Sequence, residues 1–346
     1  MQKFWHGWLS LVLLLVGALA AQAQTNPQTR PKPSPQTKEA PNAPPTPEPQ
    51  DSVIRLTTDL VVVDAQVFEQ ANGKVLSGLT ADDFIIEEEG IRQEISFFAQ
   101  DKLPLSVILL FDLTDTVQPV LAKLAHGALS ALQHFKPEDE LAVLVYSNNV
   151  YELQGFTRER TLVVNAIGEA AELAAPQQLA LFNEALFQSA EYMQDYATPR
   201  TRRVILWLTD NLPNKPPKSA HTEAEAFAQL FEHDIAVFGL MMKSAEGKVL
   251  SLFNWTMKGA GDLNKYAERT GGEVIKAEQE NVEQRLAEVV DRVRARYTLG
   301  YVSTNTSQTG AFRRLRVRVT PVVEKRAGKL VLRGKAGYFA KAKRND

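Results

Sequence analysis

No cysteine occurs in the 346 residues. Its absence excludes disulfides, thiolate metal sites, thiol nucleophiles and a lipidated cysteine anchor together. Histidine is scarce, with five in all. His6 lies in the first apolar stretch, while His126, His134, His221 and His233 fall on or near expected helices with no G-x-S-x-G elbow, so a Ser-His-Asp hydrolase cannot be assembled. No G-x-x-x-x-G-K-[ST] run occurs, and no glycine fingerprint opens a helix after a strand, which removes those two nucleotide-binding loops. Charge of one sign is also missing: 39 basic residues face 41 acidic ones for a net −2, so nothing draws the chain to nucleic acid or to an anionic membrane. Past residue 21 no apolar run reaches the roughly 20 residues that span a bilayer.

What is present divides the chain. Lys3 and His6 precede an apolar run from Trp8 to Ala21, and Ala21-Gln22-Ala23 has the small-x-small pattern of a cleavage site, so residues 1–23 are expected to be an export leader. The mature protein is then periplasmic or extracellular. Residues 24–51 are dense in proline and almost free of apolar side chains, the composition of an extended, disordered linker. From 52 to 103 the pattern turns to β, with the alternating "LVVVDAQVF", an Asn72-Gly73 turn and two more strands around Glu89-Gly90. A β-meander is expected there.

Between 104 and 296 short, nearly continuous apolar runs alternate with helical spacing. "VILLF" (107–111), "LAVLVYS" (141–147), "VILWLT" (204–209) and "IAVFGLM" (235–241) read as strands buried on both faces. Leu121, Leu124, Ala128 and Leu132 recur at helical spacing, as do Phe227, Leu230 and Phe231, and later Leu286, Val289 and Val293. Strand alternating with helix predicts an α/β fold with a doubly wound, mostly parallel sheet. A last β-rich segment, 297–341, holds "YTLGYVST", "FRRLRVRVTPV" and "KLVLRGKAGYFA". It is expected to pack with 52–103 as one small β domain into which the α/β domain is inserted.

"VILLFDLTDT" carries the chemistry. Asp112, Thr114, Asp115 and Thr116 crowd the exit of one buried strand, and Asp210 follows "VILWLT" at the exit of another. In an open parallel sheet these positions share the carboxyl edge, where ligands bind. Carboxylate and hydroxyl oxygens together suit a hard divalent cation such as Mg²⁺, which keeps some of its waters. The bland alternative is that the hydroxyls make turn hydrogen bonds at a strand end.

Asp112-x-Thr114-x-Thr116, with Thr209-Asp210 after a later strand, resembles the metal-ion-dependent adhesion site of von Willebrand factor A domains. The flanks "TDLVVVDAQVF" with "GLTADDFIIEEEG", and "YTLGYVST" with "FRRLRVRV" and "GKAGYFA", resemble a secreted bacterial subgroup of that family over roughly 54–341. The resemblance implies a non-enzymatic adhesion-type module. Asp112, Thr114, Thr116 and Asp210, with Asp115 as an extra, would hold Mg²⁺, Mn²⁺ or Ca²⁺, and the metal would accept a carboxylate from a protein partner. The chain departs from the family pattern at five positions: Thr114 and Thr116 replace serines, Asp115 and Asn211 stand for glycines, and Leu179 falls about where a threonine ligand belongs. Gln177 or Gln178 could offer an amide oxygen instead. A metal-independent scaffold is therefore the alternative. A phosphatase of the haloacid dehalogenase kind is similar at the first strand exit, but Thr114 stands where its second aspartate belongs. Arg314, Arg316 and Arg318 alternate with apolar residues and read as one solvated strand face.

Overall fold

The computed structural model describes residues 60–100, 103–114, 116–174, 179–214, 216–242, 260–305 and 310–340. The expected leader and linker, and with them Asp115, Gln177 and Gln178, lie outside the described residues.

Four strands come first: β1 (Leu60–Glu69), β2 (Phe84–Glu88), β3 (Ile91–Gln93) and β4 (Ile95–Gln100). They do not form the expected meander. β1 pairs with later strands on both sides, and only β2 and β3 make a local hairpin. Its turn is Glu89-Gly90, with φ of +48° and +83°, the pair of positive values a tight hairpin needs to follow the strand twist. At Asn72-Gly73 the chain does turn back, but it returns as a single bridge, Phe68 to Val75.

β5 (Leu105–Asp112), β6 (Glu140–Tyr146), β7 (Val150–Thr157), β8 (Arg202–Thr209), β9 (Ile235–Met242) and β10 (Val274–Ala277) build one sheet in the order β7-β6-β5-β8-β9-β10. All neighbours are parallel except β7. The chain starts in the middle at β5, moves outward to β7, then crosses back to β8 and continues the other way. This is a doubly wound sheet, as its apolar runs predict, with the order reversing between β5 and β8. Every residue of β5 is buried. Val107, Leu109 and Phe111 enter one core with α1 (Gln118–Leu132), α2 (Arg160–Leu173) and a later helix, while Ile108 and Leu110 enter a second core with α3 (Phe182–Tyr196) and α4 (Glu223–Glu232). The period of two along a strand thus divides its side chains between two helical layers.

Local chemistry sets the helix ends. α4 opens on a capping box in which Thr222 Oγ1 accepts from Glu225 N–H and Glu225 Oε2 accepts from Thr222 N–H. α5 (Leu263–Thr270) is capped by Asp262, which accepts from the Asn264 and Lys265 amides, and it ends on Gly271 at φ +85°. Beyond it Gly272 passes so close to the sheet that an added Cβ would meet the Val237 carbonyl oxygen at 1.9 Å. Gly272→Ala is accordingly expected to cost about 1–3 kcal/mol, read as a lower urea midpoint with unchanged slope.

α6 (Val282–Arg294) completes the first helical layer. After it come β11 (Tyr297–Val302), β12 (Phe312–Val319), α7 (Pro321–Ala327), β13 (Leu330–Gly334) and β14 (Gly337–Phe339). The run "FRRLRVRVTPV" stops as a strand at Val319, because Pro321 lacks a donor for the ladder and its fixed φ suits a first helical turn. "KLVLRGKAGYFA" divides between two sheets: β13 pairs with β1 and β14 with β12. The resulting sheets, β13-β1-β11-β4 and β14-β12-β2-β3, enclose a third core of Val63, Val67, Phe84, Ile86, Tyr297, Leu299 and Val317. On the outer face Arg314 and Arg318 pair with Glu89 and Glu87 across the ladder, and Arg316 between them is exposed to solvent, as a solvated strand face requires.

The sandwich meets the α/β layers at the amino ends of the parallel strands. Arg202, first residue of β8, donates from Nε to Asp64 Oδ2 at 3.0 Å and from Nη2 to the Val293 carbonyl at 2.8 Å. Arg296 is 1% exposed, and it donates to the carbonyls of Gly271 at 2.7 Å and Asp64 at 3.1 Å. Burial would raise the Asp64 carboxyl, but Arg202 and Arg296 outweigh it and hold the group below its usual range. The opposite end of the sheet, where the parallel strands finish, is left uncovered by the sandwich.

Candidate functional site

Asp112 is the last residue of β5 and Asp210 the first after β8, the two strands that flank the reversal in order. Asp112 is fully buried. Its Oδ1 accepts the Thr114 N–H at 2.9 Å, and its Oδ2 accepts the hydroxyls of Thr209 at 2.8 Å and Tyr146 at 2.9 Å. Tyr146, at the end of β6 and directly opposite Asp112 in the ladder, is itself fixed by the Trp207 indole N–H at 3.0 Å. Asp210 is 9% exposed. It accepts the Leu212 N–H on Oδ1 at 3.0 Å and the Thr116 hydroxyl on Oδ2 at 2.8 Å, and Thr114 and Thr116 share a hydroxyl contact of 3.1 Å. One hydrogen-bonded chain, Thr114–Thr116–Asp210, therefore joins the two strand exits.

Of the site residues expected from sequence, Asp112, Thr114, Thr116 and Asp210 come together at this edge. Leu179 does not contribute an oxygen; its side chain is 45% exposed. Asn211 sits at φ +61°, the left-handed region that asparagine tolerates better than most residues, and its Oδ1 accepts the Leu263 N–H at 2.9 Å. It thus takes a backbone conformation that glycine favours and adds a tether. Tyr146 escaped the sequence reading. Its only signal there was a polar ring closing an otherwise apolar strand, and its role depends on a register that one strand cannot reveal.

Among the described residues neither Asp112 nor Asp210 has a lysine, arginine or histidine partner, and no group of three or more His, Cys, Asp or Glu gathers anywhere. Burial raises the Asp112 carboxyl against its three hydrogen bonds. Burial and then the neighbouring Asp112 push Asp210 up to about 6. Two carboxylates crowded this way, with two hydroxyl oxygens between them, are a donor set that fits a hard cation retaining several waters. The fit is to the chemistry of the donors; it includes no third carboxylate and no amide.

The strand order and the residues at the switch point define a doubly wound α/β protein with an oxygen-rich cluster at its carboxyl edge. Neither a protein-family model nor a curated protein matches the sequence significantly. Among solved structures the chain is similar to von Willebrand factor type A from Catenulispora acidiphila, with 12% identity, a TM-score of 0.42 and coverage of 78% of this chain and 76% of that one. It is also similar to the conserved hypothetical protein BatB from Bacteroides thetaiotaomicron, at 15% identity and TM-score 0.38 over 54% of this chain and 99% of that one. A third is the vWF domain of the type V pili tip protein Mfa5 from Porphyromonas gingivalis, at 9% identity and TM-score 0.38 over 55% of this chain and 95% of that one. The fold stands on the strand order. No helix among the described residues is long and apolar enough to cross a membrane.

Proposed function

We propose that this chain is an exported, non-enzymatic protein-binding module of the von Willebrand factor A type. Its leader (1–23) is removed and its linker (24–51) spaces the folded part, in which the α/β domain of 104–296 is inserted between 52–103 and 297–341. It works in the periplasm or outside the cell. Thr114, Thr116, Asp112 and Asp210 would hold Mg²⁺, Mn²⁺ or Ca²⁺, with Asp115 as an extra oxygen source. The ion would supply one positive, exchangeable position able to accept a carboxylate oxygen from a protein partner.

The observation that carries this reading is the hydroxyl chain from Thr114 through Thr116 to Asp210, which brings a second buried carboxylate to the edge where Asp112 already stands without a cation. Tyr146 and Thr209 fix Asp112 through Oδ2, beside Thr114, Thr116 and Asp210, which complete the donor set.

Calorimetry with Mg²⁺ and Mn²⁺ tests it. Native protein is expected to give saturable heat, while Thr116→Val, which keeps its shape and loses one oxygen, is expected to bind at least tenfold more weakly with unchanged circular dichroism. Equal heats from both proteins would remove the metal. A metal-independent scaffold is the second reading, favoured by the three donors that already satisfy Asp112 and by the apolar Leu179 at the rim. It predicts partner binding indifferent to chelator.

A further inference from the structure

The edge strand β7 and the helix α3 beside it share a ladder of aromatic rings. Phe156 of β7 stacks on Tyr192 of α3 with centroids 5.8 Å apart, and Tyr192 meets Tyr196, one helical turn on, at 4.6 Å. The Tyr192 hydroxyl donates to Glu152 Oε2 at 2.5 Å, a second tie to the same strand. One turn earlier on the helix, Gln188 Oε1 accepts the Val150 N–H at 2.9 Å. Strand and helix are thus fastened at both places, and the ladder stands formed before any partner arrives. Tyr196 ends it at 64% exposure.

Three carboxylates line these rings. Glu152 is hydrogen-bonded into the ladder, and Glu191 and Asp195 are exposed on α3. At about 100° per residue, Asp195 and Glu191 lie about 60° and 100° round the helix from Tyr192, on the side away from the buried Met193. The two acids are one turn apart, as the two tyrosines are, so an acidic stripe runs along the outward flank of the aromatic one. Among the described residues no lysine, arginine or histidine pairs with Glu152, Glu191 or Asp195. Arg203 does reach α3, but it donates to Gln194 Oε1 on the opposite flank at 3.0 Å.

β7 itself does not invite another strand. Its register against β6 slips twice, between Leu141 and Val143 and between Val143 and Leu144, and irregularities of this kind twist an edge away from further pairing. A partner must therefore bind through side chains. A polyproline II helix needs no backbone ladder and is already extended, and its turn of about 9 Å matches a run of rings that covers at most about 10 Å. The carboxylates add a demand for positive charge. We propose that this face binds a proline-rich segment of a partner protein carrying arginine or lysine. Its pyrrolidine rings pack on Tyr192 and Tyr196, and its cations meet Glu152, Glu191 and Asp195.

Fluorescence anisotropy on the full chain tests this, in chelator so that the candidate metal centre takes no part. The probe is a fluorescein-labelled peptide of three Pro-Pro-Arg repeats. A full chain with Arg30→Ser and Lys32→Ser, run alongside, removes the basic residues of the protein's own proline-rich linker as competitors. The probe is expected to bind at least tenfold more tightly than three repeats of Gly-Gly-Arg, which keep the charge without the helix, or of Pro-Pro-Glu, which reverse the charge. Tyr196→Ser is expected to weaken it about fivefold to twentyfold, and Glu191→Gln with Asp195→Asn to weaken it and flatten its salt dependence, both with unchanged circular dichroism. Equal binding of the proline and glycine peptides would overturn the proposal, as would unchanged affinity in either variant or no saturable binding to either chain. Saturable binding of cellohexaose in place of the peptide, lost in Tyr196→Ser, would make the ladder a sugar platform and overturn it too.

Discussion

Asp210→Asn is expected to make the metal-free protein more stable at pH 7, by as much as about 3 kcal/mol. The reason is the carboxyl raised from 3.8 to about 6 by burial and by Asp112. With its pKa higher in the folded than in the unfolded chain, the group binds its proton more tightly when folded. Stability therefore falls as pH rises from about 4 to about 6, and above 6, where both states are ionised, the full cost of roughly 3 kcal/mol is present. Below about 4 both states are protonated and the cost vanishes. Urea unfolding in chelator at pH 4, 5, 6 and 7 should show this slope in the native protein and a much flatter profile in Asp210→Asn. A divalent ion bound as proposed should act in the opposite sense. At ten times its dissociation constant it would add about 1.4 kcal/mol to native protein and little to the variant. A variant no more stable than native protein at pH 7 in chelator would mean that the two carboxylates do not oppose each other, and the case for a cation would go with it.

Arg313→Met is expected to be the most damaging change in the β sandwich. Glu88 has no exposed side-chain surface, and it accepts from the Tyr301 hydroxyl at 2.8 Å, the Ser303 hydroxyl at 2.9 Å, Arg313 Nη1 at 2.9 Å and the Tyr338 hydroxyl at 3.0 Å. Without the guanidinium, three neutral hydroxyls are left to hold a buried negative charge. Breaking such a pair from one side costs about 3–5 kcal/mol, whereas removing both charges often costs far less. Arg313→Met with Glu88→Gln should thus recover much of what the single change loses, measured as the urea midpoint at pH 7. A single-variant loss under about 1 kcal/mol would show that water reaches Glu88.

The parallel strands were legible in the sequence because burial on both faces leaves nothing polar inside them. β5, β6, β8 and β9 read as unbroken apolar runs, and the structure has them within two residues of those runs. β7 gave no such signal. It is the antiparallel edge strand, half-exposed along most of its length, and its polar and apolar residues do not alternate cleanly. α2 is carried by Val163, Ala166, Ile167, Ala170 and Ala171, a correctly spaced stripe made faint by its small side chains. The meander failed for a different reason. Alternation shows that β1 has a buried face, but only the distant β11 and β13 determine which sheet that face belongs to.

The candidate site divides in the same way. Asp112 and Asp210 announced themselves as charges at the ends of apolar runs, and Thr114 and Thr116 by their spacing. The tie between Thr116 and Asp210 and the role of Tyr146 are tertiary facts between segments far apart in the chain. Propensity has no access to them.

The pairing of β1 with β11 decides how tension would pass through the molecule. Six pairs run antiparallel from Leu60 opposite Val302 to Ala65 opposite Tyr297. A pull on the chain ahead of Leu60, with the carboxyl-edge rim held by a captured molecule, enters this ladder at one end and leaves through Tyr297 at the other. All its rungs then bear the force at once, in shear, whereas a pull at a single end would open them one after another. A ladder loaded in this manner resists a pull on its first strand far better than one peeled from an end.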